Sequence, residues 1–357
     1  MTASPDPPLA SARQQDDEST NRLGSAVLRG TDTPLVGGYD ALLVDLDGVV
    51  HLGDQPIPRA VDALRSARAG GLTVAYVTNN AARTPADVAR GLTGYGLDVA
   101  AADVVTSSVV AARLLADRLP AGAQVLVVGG DGLRAPLVAA GLTPVASADG
   151  AVAVVQGWAP EVGWPQLAEA TVAVRAGRPW MATNLDRTLP SPRGPLPGNG
   201  SMVAALASAT GQQPESVGKP KPAMFTGAAA AIGARSPLVV GDRLDTDIAG
   251  ARAAGYHSLA VLTGVSSAAD LLAAGPDERP DYLGRDLDAL HARHPAPYLD
   301  GDGAHCGAVT VTTRGDVLGE PGGGDGLDGL RAGCALAWAG RLPAERYDDV
   351  VRALSLD

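Results

Sequence analysis

The sequence predicts an α/β protein whose core is a doubly wound parallel sheet. Short apolar runs that fit strands buried on both faces alternate with segments of helical spacing. Polar residues follow these runs directly: Asp45 and Asp47 come after Ala41–Val44, and Thr78 comes after Leu72–Val77. Because open α/β sheets bind ligands at the carboxyl ends of their strands, the same pattern predicts a binding site at that edge.

The composition of the chain limits the kinds of molecule that it is expected to bind. The chain has 357 residues, of which 46% are hydrophobic and 19% charged, and its net charge is −11. An acidic chain is poorly suited to nucleic acid or to an anionic membrane surface, so neither is expected as a partner. No apolar stretch reaches the ~18 residues of a membrane span, no secretory leader is recognisable, and Cys306 and Cys334 make no disulfide framework. A cytoplasmic protein is expected.

Shifts in composition set both ends of the chain apart from a long β/α body. The first end is rich in Ser, Asp, Gln and Pro without any period, which predicts a mostly disordered tail. The last is Gly-rich and too short for a large core of its own, which predicts a small α+β module packed on the main body. The predicted parts are a tail at 1–36, a β/α body that reaches to about residue 294 and a C-terminal module at 298–357.

Local signals mark the first elements of the core. Gly70 and Gly71 end the first helix, since glycine is favoured just past a helix C-terminus. Thr84 followed by Pro85 begins the second helix, because threonine caps a helix N-terminus and proline fits its first turn. The predicted elements are a strand at Ala41–Val44, a helix at Arg59–Ala69, a strand at Leu72–Val77, a helix from Thr84 to about Tyr95 and a short strand at Val104-Val105.

The next stretch repeats the alternation of apolar runs and helical spacing. Its Pro/Gly-rich loop at Ser191–Gly200 predicts a rigid lip. The predicted elements are a helix at Ser107–Leu119, a strand at Gln124–Val128, a helix to about Ala140, a strand at Ala151–Gly157, a helix at Trp164–Ala176, a strand at Pro179–Thr183 and a helix at Ser201–Thr210.

The rest of the core and the C-terminal module follow. In the core, the predicted elements are a helix at Ala223–Ile232, a strand at Leu238–Val240, a helix at Asp245–Ala254 and a final strand at Ser258–Leu262. In the module, they are a strand at Ala308–Arg314, a Gly-rich stretch at Gly319–Gly329 and an amphipathic helix at Ala344–Leu356.

The chemistry-bearing residues gather at the predicted sheet edge. Asp45 and Asp47, Thr78, Lys219 and Asp242 all follow strands or open a helix there. Lysine occurs only at positions 219 and 221, while all other basic side chains are Arg, so this segment favours an ammonium. Carboxylates, a hydroxyl and an ammonium suit Mg²⁺ and a phosphate monoester. The Asp45–Asp47 stretch alone is equally consistent with solvated aspartates.

A second motif suggests another ligand. Gly130-x-Gly132-x-x-Ala135, between a predicted strand and helix, imitates a dinucleotide-binding fingerprint. An isolated match of this kind is a weak signal, because Gly-rich turns between strands and helices are frequent. Dinucleotide binding is therefore kept as a minor alternative.

Four motifs together resemble a known superfamily. DLDGV at 45–49, TNN at 78–80, GKPKP at 218–222 and GDRLDTDI at 241–248 resemble, in this order, the motifs of the haloacid dehalogenase superfamily. The resemblance is greatest to its phosphatases with a large α/β cap inserted between the second and third motifs. It implies a Rossmann-like core domain at 37–106 and 218–294, with residues 107–217 as an inserted α/β cap domain.

The resemblance also implies roles for individual residues. Asp45 would be the nucleophile, Asp47 the general acid and base, and Lys219 the partner of Asp45 and of the phosphate. The implied phosphate-binding residues are Thr78, Asn79 and Lys219, and the implied Mg²⁺ ligands are Asp45, Asp47 through its carbonyl, and Asp242. Asp247 and Asn80 would support the site, and in the cap Asn184 and Asp186 would contact substrate.

The implied function is Mg²⁺-dependent hydrolysis of a small-molecule phosphate ester through an aspartyl-phosphate. The chain length, the Ala/Arg/Gly usage and the C-terminal module resemble actinobacterial glycerol 3-phosphate phosphatases, which makes glycerol 3-phosphate the expected substrate. Phosphoglycolate, pyridoxal phosphate and a broad para-nitrophenyl phosphatase specificity are alternatives. A phosphotransferase or mutase, and a catalytically silent protein that binds phosphometabolites, are alternatives of other classes. The family often dimerises through the cap, so a homodimer is expected.

Overall fold

The computed structural model describes residues 28–189, 193–319 and 325–356. Within these ranges no helix is both long enough and apolar enough to cross a membrane. Residues 1–27 of the predicted tail lie outside the described residues, but residues 28–36 correct the prediction. Leu28 and Leu35 are buried, and the backbone N–H of Arg29 donates to the carbonyl of Asp281 at 2.8 Å. Two apolar side chains thus fix this segment to the body of the protein.

The first part of the core alternates strands and helices as predicted, with an additional hairpin after the first strand. Thr84 caps the second helix through a capping box with Asp87, as the Thr-Pro signal indicated. The elements are β1 (Ala41–Val44), β2 (His51–Leu52), β3 (Gln55–Pro56), α1 (Ala60–Ala69), β4 (Thr73–Thr78), α2 (Pro85–Gly94), β5 (Val104–Thr106) and α3 (Ser107–Arg118).

The inserted part contains its own sheet. In the predicted lip at Ser191–Gly200, Leu196–Pro197 pair antiparallel with Thr188–Leu189, and residues 190–192 lie outside the described residues. The elements are β6 (Gln124–Val128), α4 (Asp131–Ala139), β7 (Thr143–Val145), β8 (Ala153–Gln156), α5 (Trp164–Arg175), β9 (Trp180–Ala182), β10 (Thr188–Leu189), β11 (Leu196–Pro197), α6 (Asn199–Thr210) and β12 (Glu215–Ser216).

The chain then returns to the core. The predicted helix at Asp245–Ala254 is divided, because residues Leu244–Ile248 form a π-helical turn before the α-helix begins. Ser258–Leu262 was predicted to be the final strand, which is wrong, because a helix and one more strand follow it. The elements are α7 (Ala223–Ile232), β13 (Pro237–Gly241), α8 (Ala249–Ala254), β14 (His257–Val261), α9 (Ala268–Ala273) and β15 (Tyr282–Gly284).

A six-stranded parallel sheet organises the core, with strand order β15-β14-β13-β1-β4-β5. β1 lies inside this sheet, and all four of its residues are buried. Leu42 and Val44 face one apolar cluster, which includes side chains of α1 and α2, while Leu43 faces a second cluster with side chains of α3 and α7. Helices on both faces and parallel strands confirm the predicted doubly wound fold.

The inserted sheet is also parallel, with strand order β12-β9-β8-β6-β7. Leu126 and Val128 pack against α5 and α6, whereas Val125 and Val127 join the apolar cluster that contains Leu43 of the core. The two sheets therefore share one cluster, and the inserted part is docked on the core through apolar contacts. This arrangement supports the proposal that residues 107–217 form a cap domain.

The C-terminal module is a four-stranded antiparallel sheet with two helices. Its elements are β16 (Tyr298–Leu299), β17 (Gly303–Cys306), β18 (Val309–Thr312), β19 (Val317–Leu318), α10 (Asp328–Trp338) and α11 (Tyr347–Ala353). Helix α10 was not predicted. Its side chains share an apolar cluster with α9, and the indole N–H of Trp338 donates to the carbonyl of Leu271 at 2.9 Å. The module is therefore continuous with the core through α9.

Candidate active site

The turn after β1 carries the first motif. The backbone N–H of Asp45 donates to the carbonyl of Val240 at 2.9 Å, which continues the sheet by one residue. The chain then turns at Gly48, whose φ is +84°. A Cβ at Gly48 would collide with the carboxylate of Asp242, so glycine is required both for the turn and for this close approach.

Lys219 lies between two buried carboxylates. Its Nζ is 2.6 Å from Oδ1 of Asp45 and 2.7 Å from Oδ1 of Asp247, and it also donates to the carbonyl of Val77 at 3.3 Å. The side chains of Lys219, Asp45 and Asp247 are only 4%, 10% and 0% exposed. All three donor positions of the ammonium are thereby occupied, which fixes the side chain in one orientation.

Burial and neighbouring charges together shift the pKa of every charged group in this cluster. Desolvation raises the pKa of Asp45, Asp242 and Asp247 to about 6 each, and neighbouring carboxylates add to the rise. Burial alone would lower the pKa of Lys219, but the carboxylates of Asp247 and Asp45 outweigh it and raise that pKa above its ordinary value. One ammonium faces three buried acids, so the cluster has an excess of negative charge at neutral pH.

Two carboxylate oxygens remain available to a cation. Oxygen atoms of Asp45, Asp242 and Asp247 lie within 4.8 Å of one another. Both oxygens of Asp247 are engaged, by Lys219 and by the backbone N–H of Arg243. Oδ1 of Asp242 is buried without a partner, and Oδ2 of Asp45 makes no hydrogen bond to any described residue. Carboxylate oxygens whose negative charge is not compensated fit Mg²⁺. Because both of its oxygens are already engaged, Asp247 is left in a supporting position.

The segment after β14 holds Asp242 in place. The backbone N–H of Val265 donates to Oδ2 of Asp242 at 2.7 Å, and a Cβ at Gly264 would overlap that carboxylate. Sequence reasoning missed this contribution. The Thr263-Gly264 pair at the end of the predicted strand was its only signal.

Asp47 differs from Asp45 in its surroundings. Its side chain is 59% exposed, and Oδ1 lies 3.6 Å from Nδ1 of His51. The ring of His51 is tilted against that of Tyr95, with ring centroids 5.8 Å apart. One acid of the DLDG turn is thus buried against Lys219 and the other is open to solvent. The two carboxyl groups are suited to different tasks.

The second motif follows β4 and presents hydrogen-bond donors. Oγ1 of Thr78 accepts a hydrogen bond from the backbone N–H of Asn80 at 3.1 Å, which leaves the hydroxyl proton free to donate. The side chain of Asn80 accepts from the backbone N–H of Ala82 at 2.9 Å and so shapes the loop. The backbone N–H of Asn79 donates to no described residue. A hydroxyl and a backbone N–H are therefore available to an anion at this strand end.

The predicted cap residues meet the core at Asn79. Nδ2 of Asn184 donates to the carbonyl of Asn79 at 2.8 Å, and Nδ2 of Asn79 donates to Oδ2 of Asp186 at 3.2 Å. Asn184 is in turn held by Asn199, whose Nδ2 donates to its carbonyl at 2.7 Å. Burial raises the pKa of Asp186. Both predicted cap residues thus lie beside the second motif, where they contact protein groups.

A polar cleft of about 280 Å³ lies at this junction of cap and core. Arg243 pairs with Asp245 through two hydrogen bonds of 3.0 and 2.8 Å on one side of the cleft. Asp245, the first residue of the helix predicted at Asp245–Ala254, lies in the π-helical turn that precedes α8. The lining residues are Leu185, Asp186, Arg187, Thr188, Arg243 and Asp245.

The Gly-rich motif that imitates a dinucleotide fingerprint has a packing explanation. Gly132 lies in the first turn of α4, and a Cβ there would overlap the backbone of Ala81 and Ala82 in the core. The glycine lets the cap approach the loop that follows β4. Close packing at this position accounts for the motif without a dinucleotide.

Comparisons with known proteins identify the family of this chain. The family described as haloacid dehalogenase-like hydrolase matches residues 42–143, and one described as HAD-hydrolase-like matches residues 216–290. D-glycerol 3-phosphate phosphatase of Mycobacterium tuberculosis is 49% identical over 312 residues, which cover 85% of this chain and 87% of that protein.

Solved structures extend the comparison. The chain is similar to glycerol phosphate phosphatase from Mycobacterium tuberculosis, solved in complex with magnesium, with a TM-score of 0.80, 43% identity and coverage of 91% of this chain and 100% of that one. It is also similar to p-nitrophenyl phosphatase from Archaeoglobus fulgidus, with a TM-score of 0.66, 31% identity and coverage of 71% and 98%. The order of motifs, the doubly wound core and these relatives lead to one conclusion: the chain belongs to the haloacid dehalogenase-like hydrolases.

Proposed function

We propose that the protein is a Mg²⁺-dependent phosphatase that hydrolyses glycerol 3-phosphate through an aspartyl-phosphate on Asp45. The observation that carries the proposal is the buried arrangement of Asp45, Lys219 and Asp247 next to an unpartnered oxygen of Asp242. It combines a fixed carboxylate nucleophile with donors that fit a divalent cation.

Asp45, Asp242 and the backbone carbonyl of Asp47 would hold the Mg²⁺ ion. When bound, the ion would neutralise negative charge on the phosphoryl oxygens. The Thr78 hydroxyl and the backbone N–H of Asn79 would donate to the same oxygens, and the ammonium of Lys219, whose three donor positions are occupied, would contribute its positive charge. Lys219 also keeps the Asp45 carboxylate oriented, because its Nζ is held on the other side by Asp247.

The reaction follows in two balanced steps. A carboxylate oxygen of Asp45 attacks phosphorus, the bond from phosphorus to the ester oxygen breaks, and Asp47 gives its proton to the departing alkoxide. Asp47, now a carboxylate, takes a proton from water as the water oxygen attacks the phosphoryl group. The acyl-phosphate bond breaks and restores the Asp45 carboxylate with release of inorganic phosphate. The open position of Asp47 supports this role, since both the leaving group and water must reach it.

The name of the 49% identical mycobacterial relative supports glycerol 3-phosphate as the substrate. The polar cleft beside Asn79 offers a second support. Its volume of about 280 Å³ is small, and its carboxylates and guanidinium groups can hydrogen-bond the hydroxyls of a short polyol. A large aromatic leaving group would find few apolar contacts there.

A substrate panel tests the proposal. Purified protein with Mg²⁺ is given glycerol 3-phosphate, phosphoglycolate, pyridoxal phosphate and para-nitrophenyl phosphate, and kcat/KM is measured for each from phosphate release. We expect glycerol 3-phosphate to exceed the others by at least ~10-fold, which corresponds to ~1.4 kcal/mol of transition-state stabilisation. Similar values for all four would indicate a generalist, and release from none of them would refute the phosphatase.

We further propose a cytoplasmic location and a homodimer formed through the cap. Cys306 and Cys334 are both free and buried, which is compatible with a reducing compartment.

On helix α5 of the cap, Trp164 and Val172 are 80% and 60% exposed, a pair of large apolar side chains that a second copy would cover. Sedimentation of the parent and of Trp164→Glu tests this: we expect a dimer and a monomer, and a monomeric parent would refute the assembly.

A further inference from the structure

The side chain of Asn79 is occupied by protein groups on both of its polar atoms. Its Oδ1 accepts from the backbone N–H of Lys219 at 2.8 Å, and its Nδ2 donates to the carbonyl of Lys219 and to Oδ2 of Asp186, each at 3.2 Å. One amide thus holds both backbone groups of the lysine and a carboxylate of the cap. A phosphoryl group could bind this side chain only if one of these contacts were broken.

We infer that Asn79 is a positioning residue that fixes Lys219 and couples its position to the docking of the cap loop. We call the arrangement of Asn79, Lys219 and Asp186 the Asn79 clamp. The inference rests on the proposed function, because it assigns the clamp a role in placing the ammonium beside Asp45. It also separates two parts of one residue: the side chain positions the lysine, and the backbone N–H is left for the phosphoryl group.

Packing around the clamp leaves little room for another arrangement. A Cβ at Gly218 would overlap the carbonyl of Thr183, and it would lie 2.8 Å from Oδ1 of Asn79 and 3.0 Å from Cβ of Asn184. Glycine before Lys219 therefore allows the core strand end, the cap loop and the returning chain to meet. Without the side-chain amide of Asn79, the backbone N–H and carbonyl of Lys219 would lose a hydrogen-bond partner, and the space that the amide fills would be left empty.

The carbonyl of Asn79 adds two contacts that bind the same loop to the cap side. It accepts from Oγ of Ser107 at 2.8 Å and from Nδ2 of Asn184 at 2.8 Å. The loop is thus held by the first residue of α3 and by the cap loop at once. Movement of the cap loop away from the core would break contacts to both the side chain and the carbonyl of Asn79. The position of Lys219 is thereby made to depend on cap docking.

Exchange of donor and acceptor across the clamp provides the test. Asn79→Ala removes all three side-chain contacts. Asn79→Asp places its carboxylate against that of Asp186 and against the carbonyl of Lys219. Asn79→Asp combined with Asp186→Asn restores the parent net charge and a hydrogen bond of reversed direction between positions 79 and 186, so the comparison of these two variants isolates the contact to the cap. Gln212→Ala is the matched control, because that amide donates to the carbonyl of Val174 in the cap, away from the site. Each protein is assayed with glycerol 3-phosphate and Mg²⁺ and for inhibition by inorganic phosphate.

We expect kcat of Asn79→Ala to fall by ~10- to ~100-fold, as for a catalytic group displaced by a fraction of an ångström to one ångström. The inhibition constant of inorganic phosphate should stay within about threefold, because the backbone N–H still binds it. The double variant should exceed Asn79→Asp by at least about fivefold in kcat. A raised KM and weaker phosphate inhibition with kcat retained would overturn the inference, as would a double variant no better than Asn79→Asp.

Amide hydrogen exchange gives a readout that does not need turnover. The Lys219 N–H is protected by Asn79 in the parent, so Asn79→Ala should exchange it at least ~10-fold faster, while Gln212→Ala should not. Unchanged exchange in Asn79→Ala would refute the clamp. If the parent hydrolyses no phosphate ester but exchange accelerates as expected, the proposed function fails and the clamp is supported.

Discussion

Replacing Lys219 by methionine should destabilise the protein in a strongly pH-dependent way. The substitution keeps an unbranched apolar chain of similar length up to Cε but removes the ammonium that lies 2.6 Å from Asp45 and 2.7 Å from Asp247. Both carboxyls are buried, and loss of one partner from a buried ion pair costs about 3–5 kcal/mol in free energy of unfolding. The carboxyls can escape part of this cost by binding protons, so the loss should depend on pH.

The direction of that dependence follows from the pKa values. In the metal-free parent, the pKa of each of the three acids is raised from 3.8 to about 6 in the folded state. The folded protein therefore binds more protons than the unfolded chain between about pH 4 and 6, and its stability falls as pH rises through this window. Without the ammonium, the folded pKa values of Asp45 and Asp247 should rise further. The loss in Lys219→Met should then be greatest at pH 8 and smallest at pH 5.5.

Urea unfolding in EDTA at pH 5.5 and pH 8 measures this difference. Lys221→Met is the matched control, because Lys221 is the only other lysine in the chain and is exposed. We expect the control to stay within about 0.5 kcal/mol of the parent at both pH values. Equal stability of the two methionine variants at pH 8 would refute the reasoning, and so would a larger loss at pH 5.5 than at pH 8.

Three further predictions concern the metal, the cap and the module. Mg²⁺ should raise the melting temperature of the parent more at pH 8 than at pH 5.5, because protons compete with the ion for the carboxylates. Asp242→Asn should abolish this rise, and an undiminished rise in the variant would contradict the assignment of Asp242 as a Mg²⁺ ligand. Gly132→Ala should lower the free energy of unfolding in urea by about 1–3 kcal/mol, because the new Cβ would meet the backbone of Ala81. Gly91→Ala is the control: the space around Gly91 is open, so this variant should raise the free energy of unfolding by about 0.5–1 kcal/mol. Trp338→Phe should cost about 1–3 kcal/mol through the lost indole hydrogen bond, in one unfolding transition for core and module; a separate transition would show that the module unfolds independently.

The elements of the core could be predicted because their signals are local. Continuous apolar runs, the Thr84–Pro85 start and glycines at helix ends each act within a few residues. The final core strand at Tyr282–Gly284 was missed because three residues give too short a run to recognise. Helix α10 was missed for a different reason: it begins directly after a Gly-rich stretch, and its burial against α9 stabilises it despite two internal glycines.

The site shows the same division between local and tertiary information. The order of the motifs predicted that Asp45, Thr78, Lys219 and Asp242 lie at one edge of the sheet. The structure has all four residues at that edge. The side-chain contacts of Asn79 could not be predicted, because they join residues more than 100 positions apart and no motif indicates that these residues pair.

The most direct measurement is detection of the covalent intermediate on Asp45. The protein is mixed with radiolabelled glycerol 3-phosphate and Mg²⁺, quenched in acid within milliseconds, digested and mapped by mass spectrometry. The account predicts a phosphorylated peptide that contains Asp45 in the parent, no label in Asp45→Asn, and phosphate release reduced by at least ~10³-fold in that variant. Label on another residue, or turnover by Asp45→Asn close to that of the parent, would contradict the central claim.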